Sequence, residues 1–147
     1  MVWHLHIKDQ VDFYPMVYGI PGLGHHANTS FPDVPDQYNT ILGYNEPNQA
    51  DQSNIPPEEA AAAWIELQEK YPNKELVAPA TGEGDTFDIL SIQDSGHADT
   101  EWFDAFMAEC EILGCRLDYL ATHYYTPNSV EEMMTTLKDY SDRQVCV

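Results

Sequence analysis

The strand-and-turn sequence TILGYNEPN, residues 40–48, decides the fold class of this chain. Its residues 40–44 are β-branched, apolar or aromatic, Asn45 follows them, and Glu46-Pro47 ends the run, as expected of a short strand buried on both faces. Runs of the same kind occupy residues 11–18, 75–80 and 117–125. We predict four strands, because the runs begin roughly 30–40 residues apart, the length of a strand with its crossover helix.

Helical patterns lie between these strands. Residues 56–59, Pro-Pro-Glu-Glu, make a good first helical turn, and Pro72 ends that helix. A second helix is predicted over residues 100–113, with Gly114 placed for a left-handed cap, and a third begins at the capping box of Ser129. The apolar residues that recur at helical spacing are Ala60, Trp64, Leu67 and Tyr71 in the first helix, and Trp102, Phe103, Phe106, Met107, Cys110 and Leu113 in the second. Alternating strands and helices predict a parallel α/β sheet, open or closed into a barrel.

Composition excludes several classes of partner. The chain has 147 residues, 6 Lys and Arg against 25 Asp and Glu, and a formal net charge of −19. No nucleic acid partner is expected, because nucleic acid binding rests on basic side chains, and an anionic membrane surface is disfavoured for the same reason. The sequence has no apolar run of about 18 residues that would cross a membrane, and no signal peptide is seen at its start. With 43% hydrophobic residues it can form the core of one domain.

Cysteine and histidine spacing gives little support for a metal. Three cysteines leave at least one unpaired, while Cys110 and Cys115 could form a short-range bridge. No Cys-x-x-Cys pair or zinc spacing is present. A metal-dependent hydrolase that uses the histidines at positions 4, 6, 25 and 26 is an alternative, although these lack the spacing of a metal-binding helix. We predict no metal and no cofactor.

Polar residues at the strand ends are the candidate site, since parallel α/β folds bind ligands there. Glu46 lies between Asn45 and a proline; burial of such a carboxyl raises its pKa and lets it donate a proton near neutral pH. Asn45 is suited to binding the hydroxyl groups of a sugar. His123 and Tyr125 face one side of the fourth strand by alternation, and Tyr18 ends the first. An ordinary turn at Glu46 and a core histidine at 123 are the structural alternatives.

Six segments, taken in order, resemble the Asl1-like glycosyl hydrolase catalytic domain, glycoside hydrolase family 128, which comprises endo-β-1,3-glucanases built on a (β/α)8 barrel. The segments are YPMVYG (14–19), ILGYNEPN (41–48), DQSN (51–54), AAAW (61–64), VAPA (77–80) and DYLATHYY (118–125). The match runs over residues 11–140. The resemblance implies a partial (β/α)8 TIM barrel, roughly its third to sixth βα units, within a single incomplete domain over residues 1–147.

The resemblance also implies roles for the candidate residues. Glu46 is the implied general acid/base of a retaining mechanism, and His123 and Tyr125 resemble residues that line the glucan cleft. Tyr18 stands where a tryptophan is usual, which keeps an aromatic platform, and Asn48 stands where an aspartate is common. The implied substrate is β-1,3-glucan. The spacing of the first two cysteines is similar to that of the family, whose members are mostly extracellular.

The second carboxylate of that mechanism is missing from the pattern. A retaining glycosidase needs two carboxylates about 5–5.5 Å apart, and the family's nucleophile lies in a Trp-x-Thr-Glu-Phe-like segment after the third helix. Residues 140–147 contain no such motif, and a (β/α)8 barrel takes about 250 residues. We therefore expect an inactive form or a fragment of the enzyme domain. The alternative is a non-catalytic β-glucan-binding module that uses Tyr18, Asn45, His123 and Tyr125.

Overall fold

The computed structural model describes residues 13–23, 30–82, 98–123, 134–135 and 138–139. Tyr125, the histidines at positions 4, 6, 25 and 26, and most of the predicted third helix lie outside these residues. The four described residues of that helix are helical. The elements run in the order β1 (Thr40–Leu42), α1 (Pro57–Lys70), β2 (Glu75–Val77) and α2 (Ala98–Leu113).

The sheet is parallel, and its segments lie side by side in chain order. β1 pairs with β2, with Ile41 opposite Leu76. Parallel bridges add one segment beside each strand, joining Met16 to Leu42 and Val77 to Tyr119. The α/β fragment with a parallel sheet is thus confirmed, and the barrel stays a prediction. The predicted first and fourth strands are wrong as continuous strands, because each forms isolated bridges to one neighbour instead of a ladder of consecutive pairs in the described structure.

The buried face of α1 is the one that its sequence predicts. Pro57 opens the helix, two acidic residues lie in its first turn and Lys70 lies in its last, an arrangement that complements the helix dipole. The predicted apolar residues of this helix are all buried: Ala60, Trp64, Leu67 and Tyr71. This face packs against the sheet and against α2, so α1 contributes to both layers of the core.

α2 supplies the second buried face and ends at its predicted cap. Gly114 has φ 78°, and its amide donates to the Cys110 carbonyl at 2.8 Å, which is a left-handed cap. A disulfide joins Cys110 to Cys115 and so ties the end of the helix to the fourth segment. The predicted burial of Leu113 is wrong: it is 45% exposed, because it lies in the last turn beside the exposed Ile112, where the chain turns back.

An aromatic cluster fixes the two helices against the sheet. Trp64 is fully buried, with its ring edge-on to Tyr44 at 5.4 Å and to Phe106 at 5.9 Å. Its indole N–H donates to the Arg116 carbonyl at 2.9 Å. Trp102 stacks on Phe106 at 5.4 Å. The side chain of Trp64 thus contacts three parts of the chain. These are Tyr44 at the end of β1, Phe106 in α2, and the backbone of Arg116 just before the segment that contains Tyr119.

Tyr44 is expected to make the fold less stable at alkaline pH. Its hydroxyl is buried without a hydrogen-bond partner among the described residues, and burial, with a smaller effect of Glu66, raises the pKa of Tyr44 far above its ordinary value. The pKa of tyrosine in an unfolded chain is about 10. The neutral phenol therefore makes its full contribution to the free energy of unfolding below about pH 10, and this contribution is lost as pH rises above that value.

We expect Tyr44→Phe to be at least as stable as the native chain at about pH 7. The substitution removes a buried hydroxyl without a hydrogen-bond partner in the described structure, and burial of such a group costs about 1–3 kcal/mol of stability. Between about pH 9 and 11 it should lose less stability than the native chain in urea unfolding. Tyr38→Phe, at a half-buried ring, is the control and should follow the native chain. Equal alkaline losses in native chain and Tyr44→Phe would contradict this account.

Candidate active site

The strand-like segments end on the same side of the sheet, and their ends bring four predicted side chains to one place: Tyr18, Asn45, Glu46 and His123. Backbone hydrogen bonds hold these ends in register. The Asn45 amide donates to the Tyr18 carbonyl at 2.9 Å, and the Glu46 amide donates to the Ala80 carbonyl at 2.8 Å. Of the predicted candidates, Tyr18, Asn45, Glu46 and His123 thus lie at the carboxyl ends of neighbouring segments.

Glu46 has a backbone conformation that is unusual for a residue with a side chain. Its φ is 41°, in the left-handed region, which costs a non-glycine residue of order 1–3 kcal/mol. Two hydrogen bonds oppose that strain, since its amide donates to Ala80 and its carbonyl accepts from the Gln49 amide at 3.0 Å. The residue is only 8% exposed. The carboxyl is therefore held in one position and largely shielded from water.

A histidine contacts this buried carboxyl. The Nδ1 atom of His123 lies 2.7 Å from Oε1 of Glu46, and the His123 amide donates to the Thr81 carbonyl at 3.0 Å, which fixes the backbone below the ring. An ionised carboxylate would accept the imidazole N–H, whereas a protonated carboxyl would donate to the ring nitrogen. The pair can thus hold one proton in either state, as general acid/base chemistry requires.

Gly82 lies beside the Glu46 carboxyl. A Cβ atom on Gly82 would lie 2.7 Å from Cδ of Glu46 and 3.0 Å from its Oε1. The distance to Cδ is shorter than real Cβ contacts, so a side chain at residue 82 would displace the carboxyl from this place. The position of the backbone at Gly82 therefore affects the position of the candidate acid.

A second set of hydrogen bonds joins Tyr18 to Asn45. Oε1 of Gln52 accepts from the Tyr18 hydroxyl at 2.8 Å and from Nδ2 of Asn45 at 3.1 Å. The Ser53 hydroxyl donates to the Asn45 carbonyl at 2.6 Å, so the loop that follows Pro47 folds back onto Asn45. Tyr18 is 36% exposed. It therefore presents part of its ring to solvent while its hydroxyl is held.

Sequence reasoning found four of these residues and missed two. Tyr125 lies outside the described residues, so its predicted place in the cleft stays a prediction. Gln52 belongs to the segment DQSN that contributes to the family resemblance, but a glutamine seven positions after Asn45 carries no signal of which side chains it will join. Gly82 ends the third predicted strand, and only the folded chain brings it against Glu46.

The described structure gives two further observations about ligands and membranes. Within residues 13–23, 30–82 and 98–123, no group of three or more His, Cys, Asp or Glu side chains is arranged to hold a metal ion. The helices of the described part are too short or too polar to cross a bilayer. The four histidines of the metal-dependent alternative are not among these residues.

A cleft of about 420 Å³ lies at the opposite end of the sheet, away from Glu46. Its two lysines already bind protein groups: Lys70 donates to the Phe31 carbonyl at 2.7 Å and Lys74 to the Tyr38 carbonyl at 2.6 Å. Lys70 also holds the pKa of Asp33 below its ordinary value through a hydrogen bond. These contacts attach the loop before β1 to the end of α1, so we assign the cleft a structural origin.

Comparison with known proteins agrees with this geometry. Residues 1–144 match the family model described as glycosyl hydrolase catalytic core, and the chain belongs to that family. No curated protein sequence matches it significantly. Within the family the chain is a GH128-like catalytic domain, as the sequence resemblance predicts, and solved GH128 structures cover about 89% of it.

Three of these β-1,3-glucanase structures show the extent of the match. The subgroup II endo-β-1,3-glucanase of Pseudomonas viridiflava is 28% identical, with TM-score 0.62, and the match covers 89% of this chain and 49% of that one. The subgroup II enzyme of Sorangium cellulosum is 27% identical, with TM-score 0.59 and coverage of 90% and 52%. The subgroup I enzyme of Amycolatopsis mediterranei, in complex with laminaritriose, is 25% identical, with TM-score 0.57 and coverage of 87% and 48%. The present chain thus spans about half the length of the enzymes it matches.

Proposed function

We propose that this chain carries the acid/base part of a retaining β-1,3-glucan hydrolase site, built on roughly the third to sixth units of a (β/α)8 barrel. The observation that carries the proposal is the 2.7 Å contact between His123 and the buried Glu46 carboxyl at the carboxyl ends of parallel segments. The family match and the β-1,3-glucanases among the similar structures support glucan as the substrate.

In the proposed mechanism Glu46 first acts as an acid. It donates its proton to the glycosidic oxygen as the bond from that oxygen to the anomeric carbon breaks, and a nucleophilic carboxylate bonds to the same carbon. Glu46 then takes a proton from water, whose oxygen displaces the nucleophile from the sugar. The imidazole of His123 can accept a hydrogen bond from Glu46 when the acid is protonated and donate one to Glu46 when it is a carboxylate. It can therefore remain hydrogen-bonded to Glu46 in both protonation states.

The nucleophile is the part that this chain does not supply. The mechanism places it about 5–5.5 Å from Glu46, and the motif expected to carry it is not found in residues 124–147. We propose that hydrolysis needs this carboxylate from a segment equivalent to the other half of the GH128 enzymes, and that the 147-residue chain by itself is inactive.

Binding of the sugar is assigned to the same end of the sheet. The partly exposed ring of Tyr18 is the proposed stacking surface, and Asn45, His123 and Tyr125 are the proposed hydroxyl-binding groups. Aromatic rings suit a sugar ligand because they present apolar surface with a polar edge. We propose that the protein is extracellular or secreted, as the family resemblance implies; the Cys110–Cys115 disulfide fits such an oxidising location.

The proposal is tested on a longer form of the chain. The chain is joined to the part of the Pseudomonas viridiflava enzyme that lies outside their match, and release of reducing ends from soluble β-1,3-glucan is measured. We expect no release from the chain alone, release from the extended form, and a loss of about 10²–10⁴-fold in its Glu46→Gln variant. Glu58→Gln, at an exposed position of α1, is the control. Full activity of the Glu46→Gln variant would show that Glu46 is not the acid/base.

The alternative is a β-glucan-binding module without catalysis. The hydrogen bonds that join Tyr18 and Asn45 through Gln52 favour this alternative. They give a polar surface with an exposed ring, and binding of a sugar to such a surface requires no nucleophile. Calorimetry with laminaripentaose distinguishes the two functions. Binding by the chain, together with an extended form that folds but never cleaves glucan, would favour the module, and absence of binding would remove it.

A further inference from the structure

The side chain of Asn48 pairs with the backbone of Gly82 as a neighbouring strand would. Its Nδ2 atom donates to the Gly82 carbonyl at 2.8 Å, and the Gly82 amide donates to its Oδ1 atom at 3.0 Å. Nε2 of the buried Gln49 donates a longer bond, 3.4 Å, to the same carbonyl. The loop after Glu46 therefore holds the loop after β2 in place.

The residue held in this way adjoins the Glu46 carboxyl. A Cβ on Gly82 would lie 2.7 Å from Cδ of Glu46, so the carboxyl occupies the space beside the Gly82 Cα, and the place of this backbone limits where the carboxyl can lie. The preceding residue, Thr81, is fixed by its carbonyl, which accepts from the His123 amide at 3.0 Å. The backbone of residues 81–82 thus bonds to His123 and adjoins the space that the Glu46 carboxyl occupies.

We propose that Asn48 is a positioning residue for the acid/base, acting through Gly82 to set the contact between Glu46 and His123. The inference rests on the proposed role of Glu46 and adds a residue to it. Both bonds of Asn48 are needed, because one donor and one acceptor are required to match a backbone amide and carbonyl together. An ionised aspartate at this position can accept from the Gly82 amide but faces the carbonyl with a negative charge.

The experiment observes the Glu46–His123 contact itself. A hydrogen-bonded imidazole proton gives a downfield proton NMR resonance, which is assigned by its loss in His123→Gln, and the carboxyl carbon shift of Glu46 is recorded on the same samples. We expect Asn48→Ala to lose the resonance and move the carbon shift. Asn48→Asp, which keeps the size of the side chain and its acceptor, should weaken the resonance. Asn73→Ala, exposed at the other end of the sheet, should leave both signals as in the native chain.

Gly82→Ala tests the same contact from the other side, with Asn48 intact. The added methyl group should displace the carboxyl and abolish the resonance. Thermal unfolding of each variant separates this effect from loss of the fold, and Asn48→Asp serves if Asn48→Ala does not fold. Unchanged signals in both Asn48→Asp and Gly82→Ala would overturn the inference. Because no glucan is present, this outcome is independent of the hydrolysis test on Glu46→Gln.

Discussion

Trp64→Ala is expected to lower the free energy of unfolding by about 3–5 kcal/mol, which is much of the total stability of an ordinary domain. The indole is fully buried, contacts the rings of Tyr44 and Phe106, and donates to the Arg116 carbonyl. Its removal leaves a cavity between the sheet and both helices and an unpaired backbone carbonyl. The loss should exceed that of any exposed substitution, because apolar burial and a hydrogen bond disappear together.

Urea unfolding followed by far-ultraviolet circular dichroism measures this loss without relying on tryptophan fluorescence. Trp64→Phe keeps an aromatic ring but removes the indole N–H, so it should lose less stability than Trp64→Ala. Ile112→Ala, at a side chain that is 77% exposed, should change stability by no more than about 0.5 kcal/mol. A loss below about 1.5 kcal/mol in Trp64→Ala would mean that the aromatic cluster does not form the core.

Gly43→Ala adds one methyl group and should still destabilise the chain by about 1–3 kcal/mol or more. A Cβ at Gly43 would lie 2.6 Å from the Val77 carbonyl oxygen and 2.9 Å from the Trp64 ring. The Gly43 amide donates to that same oxygen at 3.0 Å. The methyl group can therefore be accommodated only by separating the backbones of the two central segments or by moving a buried ring.

Gly114→Ala is the matched control for a glycine substitution. No atom lies within 4 Å of a Cβ at Gly114, but its φ of 78° is unfavourable for alanine, which costs about 1–2 kcal/mol. We expect its unfolding midpoint in urea to fall less than that of Gly43→Ala. A larger loss at Gly114 would show that backbone conformation, and not close packing, dominates the glycine positions of this chain.

The helices and the end of the sheet were predictable because their signals are local. Pro57 with two acids, and Gly114 after an apolar stripe, identify a start and an end within a few residues of sequence. Leu113 has the same periodicity as its buried neighbours and is nevertheless 45% exposed. Periodicity predicts which side of a helix faces the core, but the point at which the core ends depends on what packs beside the last turn.

The candidate site divides in the same way. Glu46 is recognised from the turn in which it lies, at the end of an apolar strand, and His123 from the end of another. Their 2.7 Å contact joins residues 77 positions apart, and no local pattern indicates that Gly82 lies beside the carboxyl. The sequence could thus identify Glu46 as the candidate acid. That His123 and Gly82 lie beside its carboxyl is known only from the structure.

The order of strands and helices, the acidic composition and the glutamate at the end of the central strand were determined by the sequence alone. This is because chain order, net charge and strand or helix period are properties of neighbouring residues. Tertiary structure decided that Asn48 holds Gly82, that Gln52 joins Tyr18 to Asn45 and that Trp64 closes the core. Except for the Asn45–Gln52 bond, which spans seven residues, those contacts arise only when parallel pairing brings together segments that are tens of residues apart in the chain.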